Sequence, residues 1–320
     1  MNKVSGDGVH KSKKVLSFFI VIILVISCCV TQKTNAINVS GAWALYPLMV
    51  KWAEEYTKIH PEVRIDISAG GAGKGMADAL GGLVDIGMVS REIYPEEKEK
   101  GAFWVAVAKD AVVPLVNRNN PYSADILSQG IDKETFYNIY ITGSITTWGD
   151  VLGTPEITDK IRVYTRSDAC GAAQTWASYL GFAQEDLRGV GVYGDPGIVE
   201  AVAQDVFGIG YANLNFAYDA ATERPSPGIT PIPIDLNGNR RIDERENFYT
   251  TKFHVIDAIA AGVYPSPPAR DLYLVTKGNP TGIVREFLIW ILTEGQQYLS
   301  EIGYISLGER IEEELKKVEE

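Results

Sequence analysis

Three segments of this chain share one grammar: a β-branched or apolar run, a turn of small residues, then an amphipathic helix. That repetition restricts the fold to an alternating α/β architecture. In the first, residues 37–39 read as a strand and residues 40–44 (Ser-Gly-Ala-Trp-Ala) as a turn. Residues 46–59 follow as a helix with Met49, Val50, Trp52, Ala53 and Tyr56 on one face, and His60-Pro61 ends it. In the second, 63–67 is the strand, 68–73 (Ser-Ala-Gly-Gly-Ala-Gly) the turn and 74–83 the helix. In the third, these are 161–165, 166–170 (Arg-Ser-Asp-Ala-Cys) and 171–180. Each junction aims the free N–H groups of a helix start beyond a strand end, where small residues let a ligand reach the backbone. Turns of this kind recur in α/β proteins generally. Their significance here depends on convergence: three helix starts meeting at one point make an anion site.

Two similar runs, 112–117 (Val-Val-Pro-Leu-Val-Asn) and 272–277 (Leu-Tyr-Leu-Val-Thr-Lys), each precede an Asn-Pro by a short interval. We read them as a pair of strands crossing between two lobes. The first lobe then comprises 37–115 plus 272–320 and the second 116–271, with ligand bound in the cleft that hinge closure buries. A chain of 320 residues, 46% hydrophobic, can fill two such cores. Its net charge of -11 argues against nucleic acid or an anionic membrane surface as partner, so any anion must be held by local chemistry.

The N-terminus reads as an export leader spanning 1–36. Lys11, Lys13 and Lys14 precede an uncharged, mostly apolar run over 15–30 and a polar segment over 31–36. Thr34-Asn35-Ala36 suits signal-peptidase cleavage after Ala36, while Val25-Ile26-Ser27-Cys28 suits lipidation at Cys28. An uncleaved anchor is the third alternative, although the run falls short of the ~20 residues that span a bilayer. Each alternative places residues 37–320 outside the cytoplasm. Of three cysteines, Cys28 and Cys29 lie in the leader, so Cys170 alone remains and no disulfide framework is possible.

These motifs occur in the order in which they occur in the phosphate-binding proteins of ABC phosphate transporters, which the chain resembles over nearly all of residues 37–320. The similar features are Ser40-Gly41-Ala42 with Tyr46-Pro47; Gly71, Gly73 and Gly75; Asp85-Ile86-Gly87 with Ser90-Arg91; Gly143, Ile145, Trp148 and Asp150; Arg166-x-Asp168-x-x-Gly171; Gly208-Ile209-Gly210-Tyr211; and the tail with Trp290, Gly295, Gln296, Gly303 and Tyr304. The resemblance implies a two-lobed periplasmic-binding-protein-like α/β fold with two crossover hinge strands. It also implies a monomer without catalytic activity that hands phosphate or a similar oxyanion to an ABC permease. Arg166 takes the place of the arginine that grips phosphate, and Asp168 that of the carboxylate orienting it. Ser40, Gly41, Ala42, Ala44, Leu45, Gly71, Ala72, Gly73, Ser90, Arg91, Cys170, Gly171 and Ala172 complete the expected contacts. Leu45, Ala72, Cys170 and Ala172 stand where the family has hydroxyls, and Ser90 where some members have an aspartate accepting the phosphate proton. Each lost hydrogen bond to a charged group removes about 1.5–3 kcal/mol of affinity. The resemblance therefore also admits another oxyanion, a phosphonate, or a sensor or adhesion module of the same fold.

Two further features stand apart. Asp235, Asn237, Asn239, Arg241 (by its carbonyl), Asp243 and Glu246 follow the spacing of an EF-hand calcium loop over 235–246, with Arg240 where that loop requires glycine. Structural calcium and a polar surface loop are both compatible with it. Cys170 at a helix start is a candidate thiolate nucleophile, but its only available histidines, His60 and His254, lie in no catalytic motif.

Overall fold

The computed structural model describes residues 35–320; residues 1–34 of the expected leader, Cys28 included, lie outside the described residues, while Asn35 and Ala36 open the first strand. The strands are β1 (Asn35–Gly41), β2 (Val63–Ala69), β3 (Ile86–Val89), β4 (Ala102–Asn117), β5 (Ile131–Asp132), β6 (Arg162–Arg166), β7 (Val190–Val192), β8 (Gly208–Asn213), β9 (Ile229–Pro231), β10 (Ile234–Asp235) and β11 (Ala269–Lys277). One sheet runs in the order β2-β1-β3-β11-β4-β8-β6-β7, with β9 also on β4, while β5 and β10 pair separately. No described helix is long and apolar enough to cross a membrane.

The long strand β4 joins the two halves of the sheet. Its first part pairs antiparallel with β11, from Ala102 opposite Lys277 to Ala111 opposite Ala269. Its second part pairs with β8 and β9. The strand expected over 112–117 therefore begins at Ala102, and the one expected over 272–277 begins at Ala269. Lys109 and Asp110 interrupt the apolar pattern and hide this continuity, but Asp110 faces Arg270 across the ladder and the strand runs on. The apolar side chains form two clusters. The chain leaves the first between Ala108 and Ala111 on β4 and returns to it between Ala269 and Leu272 on β11.

The three junctions form where expected, with shifted edges. Helix α1 (Tyr46–Ile59) buries Leu48, Met49, Trp52, Ala53 and Tyr56, so Leu48 takes the place expected of Val50. The Trp52 indole N–H donates to the Gly295 carbonyl at 2.8 Å, which satisfies its polar edge within a burial contributing about 1.5–3 kcal/mol. Helix α2 (Ala72–Gly81) starts two residues earlier than its glycines suggest. A Cβ at Gly75 would lie 2.8 Å from the Gly41 Cα, so this glycine serves close helix–strand packing rather than a turn. Helix α3 (Gly171–Leu180) has its expected bounds, and α4 (Gly194–Gln204) follows β7.

Candidate anion-binding site

The first three helix starts present buried backbone donors. The N–H groups of Ala44, in a 3₁₀ turn preceding α1, of Ala72 on α2 and of Gly171 and Ala172 on α3 meet no acceptor among the described residues. Ala44, Ala72 and Ala172 are each at most 1% exposed. Buried N–H groups are almost always paired, so four unpaired ones at helix starts define a place for negative charge. Neighbouring donors are already committed. Gly71 N–H binds the Gly41 carbonyl at 3.1 Å, Ala42 N–H the Met88 carbonyl at 2.9 Å and Leu45 N–H the Ala42 carbonyl at 3.1 Å. Cys170 N–H donates to Gln184 Oε1 at 3.1 Å, while Gln184 Nε2 donates to the Asp168 carbonyl at 2.7 Å. The side chain of Gln184 thus braces the third turn, a role that nothing local in the sequence announces.

The two sides of the cleft touch. Gly73 N–H donates across it to the Ala169 carbonyl at 3.0 Å. Gly71, at φ 87°, leaves no room for a side chain: a Cβ there would stand 2.7 Å from the Ala169 oxygen. At Gly171 a Cβ would stand 2.1 Å from Ser90 Oγ and 2.2 Å from the Ser90 carbonyl oxygen. The structure is therefore a closed state whose seam depends on missing side chains.

Arg166 lies at the end of β6 with its side chain 1% exposed. Its Nε and Nη2 donate to Asp168 Oδ1 at 2.8 Å and Oδ2 at 2.6 Å, and its Nη1 to Asp195 Oδ2 at 2.7 Å. Five N–H donors less these three leave two for a ligand. Burial opposes the guanidinium charge, but Asp195, Cys170 and Asp168 outweigh it and hold the pKa above its ordinary value. Asp195, on α4, is fully buried and also accepts from the Asn213 backbone and side-chain N–H groups, both at 2.8 Å. Sequence reasoning did not find Asp195; its only signal is a carboxylate directly after a glycine at a helix start.

Several expected contacts are otherwise occupied. The Ser40 hydroxyl donates to Asp78 Oδ2 at 2.7 Å, and Lys74 holds the same oxygen. Arg91 forms a bidentate pair with Glu97 at 2.6 and 2.9 Å and lies over the Tyr94 ring, so its charge is already committed. Asp168 accepts from Arg166 with both oxygens and from Gly194 N–H, which leaves it poorly placed to take a proton from a ligand. Ser90 lies against Gly171 and is 2% exposed. A cleft of about 550 Å³ opens outward from Arg166, Cys170 and Gly73 past Arg91, Tyr94 and Gln174. Burial pushes the Cys170 thiol up to about 12, with Arg166 opposing, and its sulfur accepts from Ala173 N–H at 3.4 Å. We therefore expect Cys170 in the folded protein to resist iodoacetamide at pH 8 and to label only after denaturation; rapid native labelling at pH 6 would reverse this assignment.

The loop 235–246 folds around its own polar groups. Asp235 accepts from the N–H groups of Asn237, Gly238 and Arg240, and Glu246 from those of Leu236 and Asp243. Arg240 adopts φ 61°, the left-handed conformation that the EF-hand pattern assigns to glycine. The amide nitrogens of Asn237 and Asn239 face Asp243, and Arg241 N–H binds Asn239 Oδ1. Among the described residues, no three His, Cys, Asp or Glu side chains converge as metal ligands.

The family model for the PBP superfamily domain matches residues 30–294. The phosphate-binding protein PstS of Bacillus subtilis is 28% identical over 280 residues, covering 86% of this chain and 81% of its own. That of Methanocaldococcus jannaschii is 26% identical, covering 96% and 94%. Among solved structures, a putative phosphate ABC transporter substrate-binding protein with bound phosphate from Clostridium perfringens aligns with a TM-score of 0.69 at 24% identity. The alignment covers 85% of this chain and all of that one. An ABC-type phosphate transport receptor from Vibrio cholerae aligns at 0.60 and 21% identity, covering 84% and 99%. These likenesses show that the two-lobed binding-protein fold expected from the sequence is the fold adopted.

Proposed function

Because the chain belongs to the PBP superfamily, we propose that it captures phosphate outside the cytoplasm and delivers it to an ABC importer. The observation that carries this reading is the set of four unpaired N–H groups, at Ala44, Ala72, Gly171 and Ala172, on either side of the cleft beside Arg166. Backbone donors and two spare guanidinium N–H groups match a small tetrahedral oxyanion without further charged side chains. The curated relatives that span most of the chain are named phosphate-binding proteins, which supports the same ligand and the same importer partner. The buried, high-pKa thiol of Cys170 supports a binding protein over an enzyme.

Among the described residues, Ser90 stands at the position expected of an acceptor carboxylate, and Asp168, the carboxylate bound to Arg166, is already engaged. Discrimination between phosphate and sulfate then rests on fit and backbone donors alone. A thermal-shift series with phosphate, arsenate, sulfate and molybdate tests both points. Phosphate at about 100 times its Kd should stabilise the fold by about 2.7 kcal/mol. Sulfate should produce a shift of comparable size in the same direction, since a site of donors alone does not select the proton-bearing anion. No response to any oxyanion would overturn the reading.

A further inference from the structure

A second buried arginine stands behind the site. Arg270 lies on β11 opposite Asp110 on β4, where both strands pass from one apolar cluster to the other. Its side chain is 7% exposed. Nη1 donates to Thr175 Oγ1 at 2.9 Å, on the helix whose first turn presents Gly171 and Ala172. Nη2 donates to Asn213 Oδ1 and reaches Asp110 Oδ2 at 3.5 Å. Asn213 in turn binds Asp195, and Asp195 binds Arg166. A continuous chain of charged hydrogen bonds thus runs Arg270, Asn213, Asp195, Arg166, with a branch from Arg270 to the third helix. Burial pushes the Asp110 carboxyl up to about 6 against the pull of Arg270, so this aspartate is a weak counter-ion. Arg270 Nε has no partner among the described residues. An arginine this deeply buried and only partly satisfied is a costly feature for a hinge whose sole requirement is to bend.

We propose that Arg270 is a positioning residue for anion binding: from the hinge strands it holds Arg166 and the start of α3 in the geometry that grips the ligand, without touching that ligand. The proposal rests on the phosphate reading and adds a residue to it. In the open state, Asn213, Thr175 and Asp195 remain on the same lobe as Arg166, so the network keeps the arginine oriented before the anion arrives, which lowers the ordering cost of binding.

The test is a double-mutant cycle on the full chain, with phosphate affinity measured by isothermal titration and ligand-free melting recorded for every variant. Arg270→Lys keeps the charge but cannot hold Thr175 and Asn213 together. It should weaken phosphate binding about tenfold. In an Arg166→Lys background, where the chain is already broken at its far end, the same replacement should change affinity less than about twofold. A merely structural role for Arg270 predicts equal losses in both backgrounds, and that result, or an unchanged Kd for Arg270→Lys alone, overturns the proposal. If Arg270→Lys does not fold, Thr175→Val carries the same cycle, since it removes one anchor of Arg270 with little change of shape. Its loss should again be confined to the Arg166 background, and equal losses would overturn the proposal. Absence of phosphate binding by the unaltered chain would remove the proposed function and this role together, whereas intact binding unaffected by Arg270 removes this role alone.

Discussion

Arg166→Ala should abolish the phosphate-induced rise in melting temperature and also lower the melting temperature of the ligand-free protein. Two causes act at once. The ligand loses a buried cation with two spare donors beside the unpaired N–H groups, and Asp195 and Asp168 lose their shared counter-ion. Leaving one side of a buried ion pair uncompensated costs about 3–5 kcal/mol. Asp195 keeps its two bonds from Asn213, so the fold should survive the loss. Arg166→Lys separates the two effects: it retains a cation near both carboxylates, should recover most of the stability, and should recover only part of the affinity, enough to titrate, because an ammonium cannot hold two aspartates and an oxyanion in one plane. Calorimetry with phosphate and melting without it measure the two quantities separately. A full phosphate shift retained in Arg166→Ala would place the site elsewhere.

Gly171→Ala should fail differently. The added methyl would stand 2.1 Å from Ser90 Oγ and 2.2 Å from the Ser90 carbonyl oxygen, so the lobes cannot meet as they do here. Overpacking of this kind costs about 1–3 kcal/mol, a loss of affinity of about fivefold to 150-fold. Ligand-free melting should be nearly unchanged, because the overlap exists only when the cleft is shut. Small-angle scattering should show compaction on adding phosphate to the unaltered protein and none in the variant. Ser90→Ala should not rescue it, since the backbone oxygen remains. Normal compaction and affinity in Gly171→Ala would mean that the seam at Ser90 is not part of the bound state.

The sequence shows what local chemistry controls. The bounds of α1 and α3 follow from apolar spacing and from the Pro and Gly residues around them, and the three helix starts with Arg166 beside Asp168 are visible in the turns themselves. What it conceals is commitment. Ser40, Arg91, Gly73 N–H and Cys170 N–H all look available in the sequence, yet each is held by a partner from another element: Asp78, Glu97, Ala169 and Gln184. Asp195, Asn213, Asp110 and Arg270 belong to no motif, since they meet only after β4, β8 and β11 are laid side by side. A charged residue inside an apolar strand run, such as Asp110 before Ala111-Val112-Val113, is the trace of that network left in the strands. The length of β4 was hidden for the same reason: its interruption is polar in sequence and neutralised only in space.

The path of the chain through the two clusters also sets an order in time. The first cluster draws on residues 37–108 and on residues 272–318, so nothing synthesised before β11 can complete it. The second cluster is nearly continuous in sequence and, apart from Ile305, is complete once residues 111–269 have emerged. Contacts of such sequence separation form slowly, because loop closure must precede the burial that rewards it. A nascent chain of this protein therefore spends most of its synthesis with an unfinished N-terminal half.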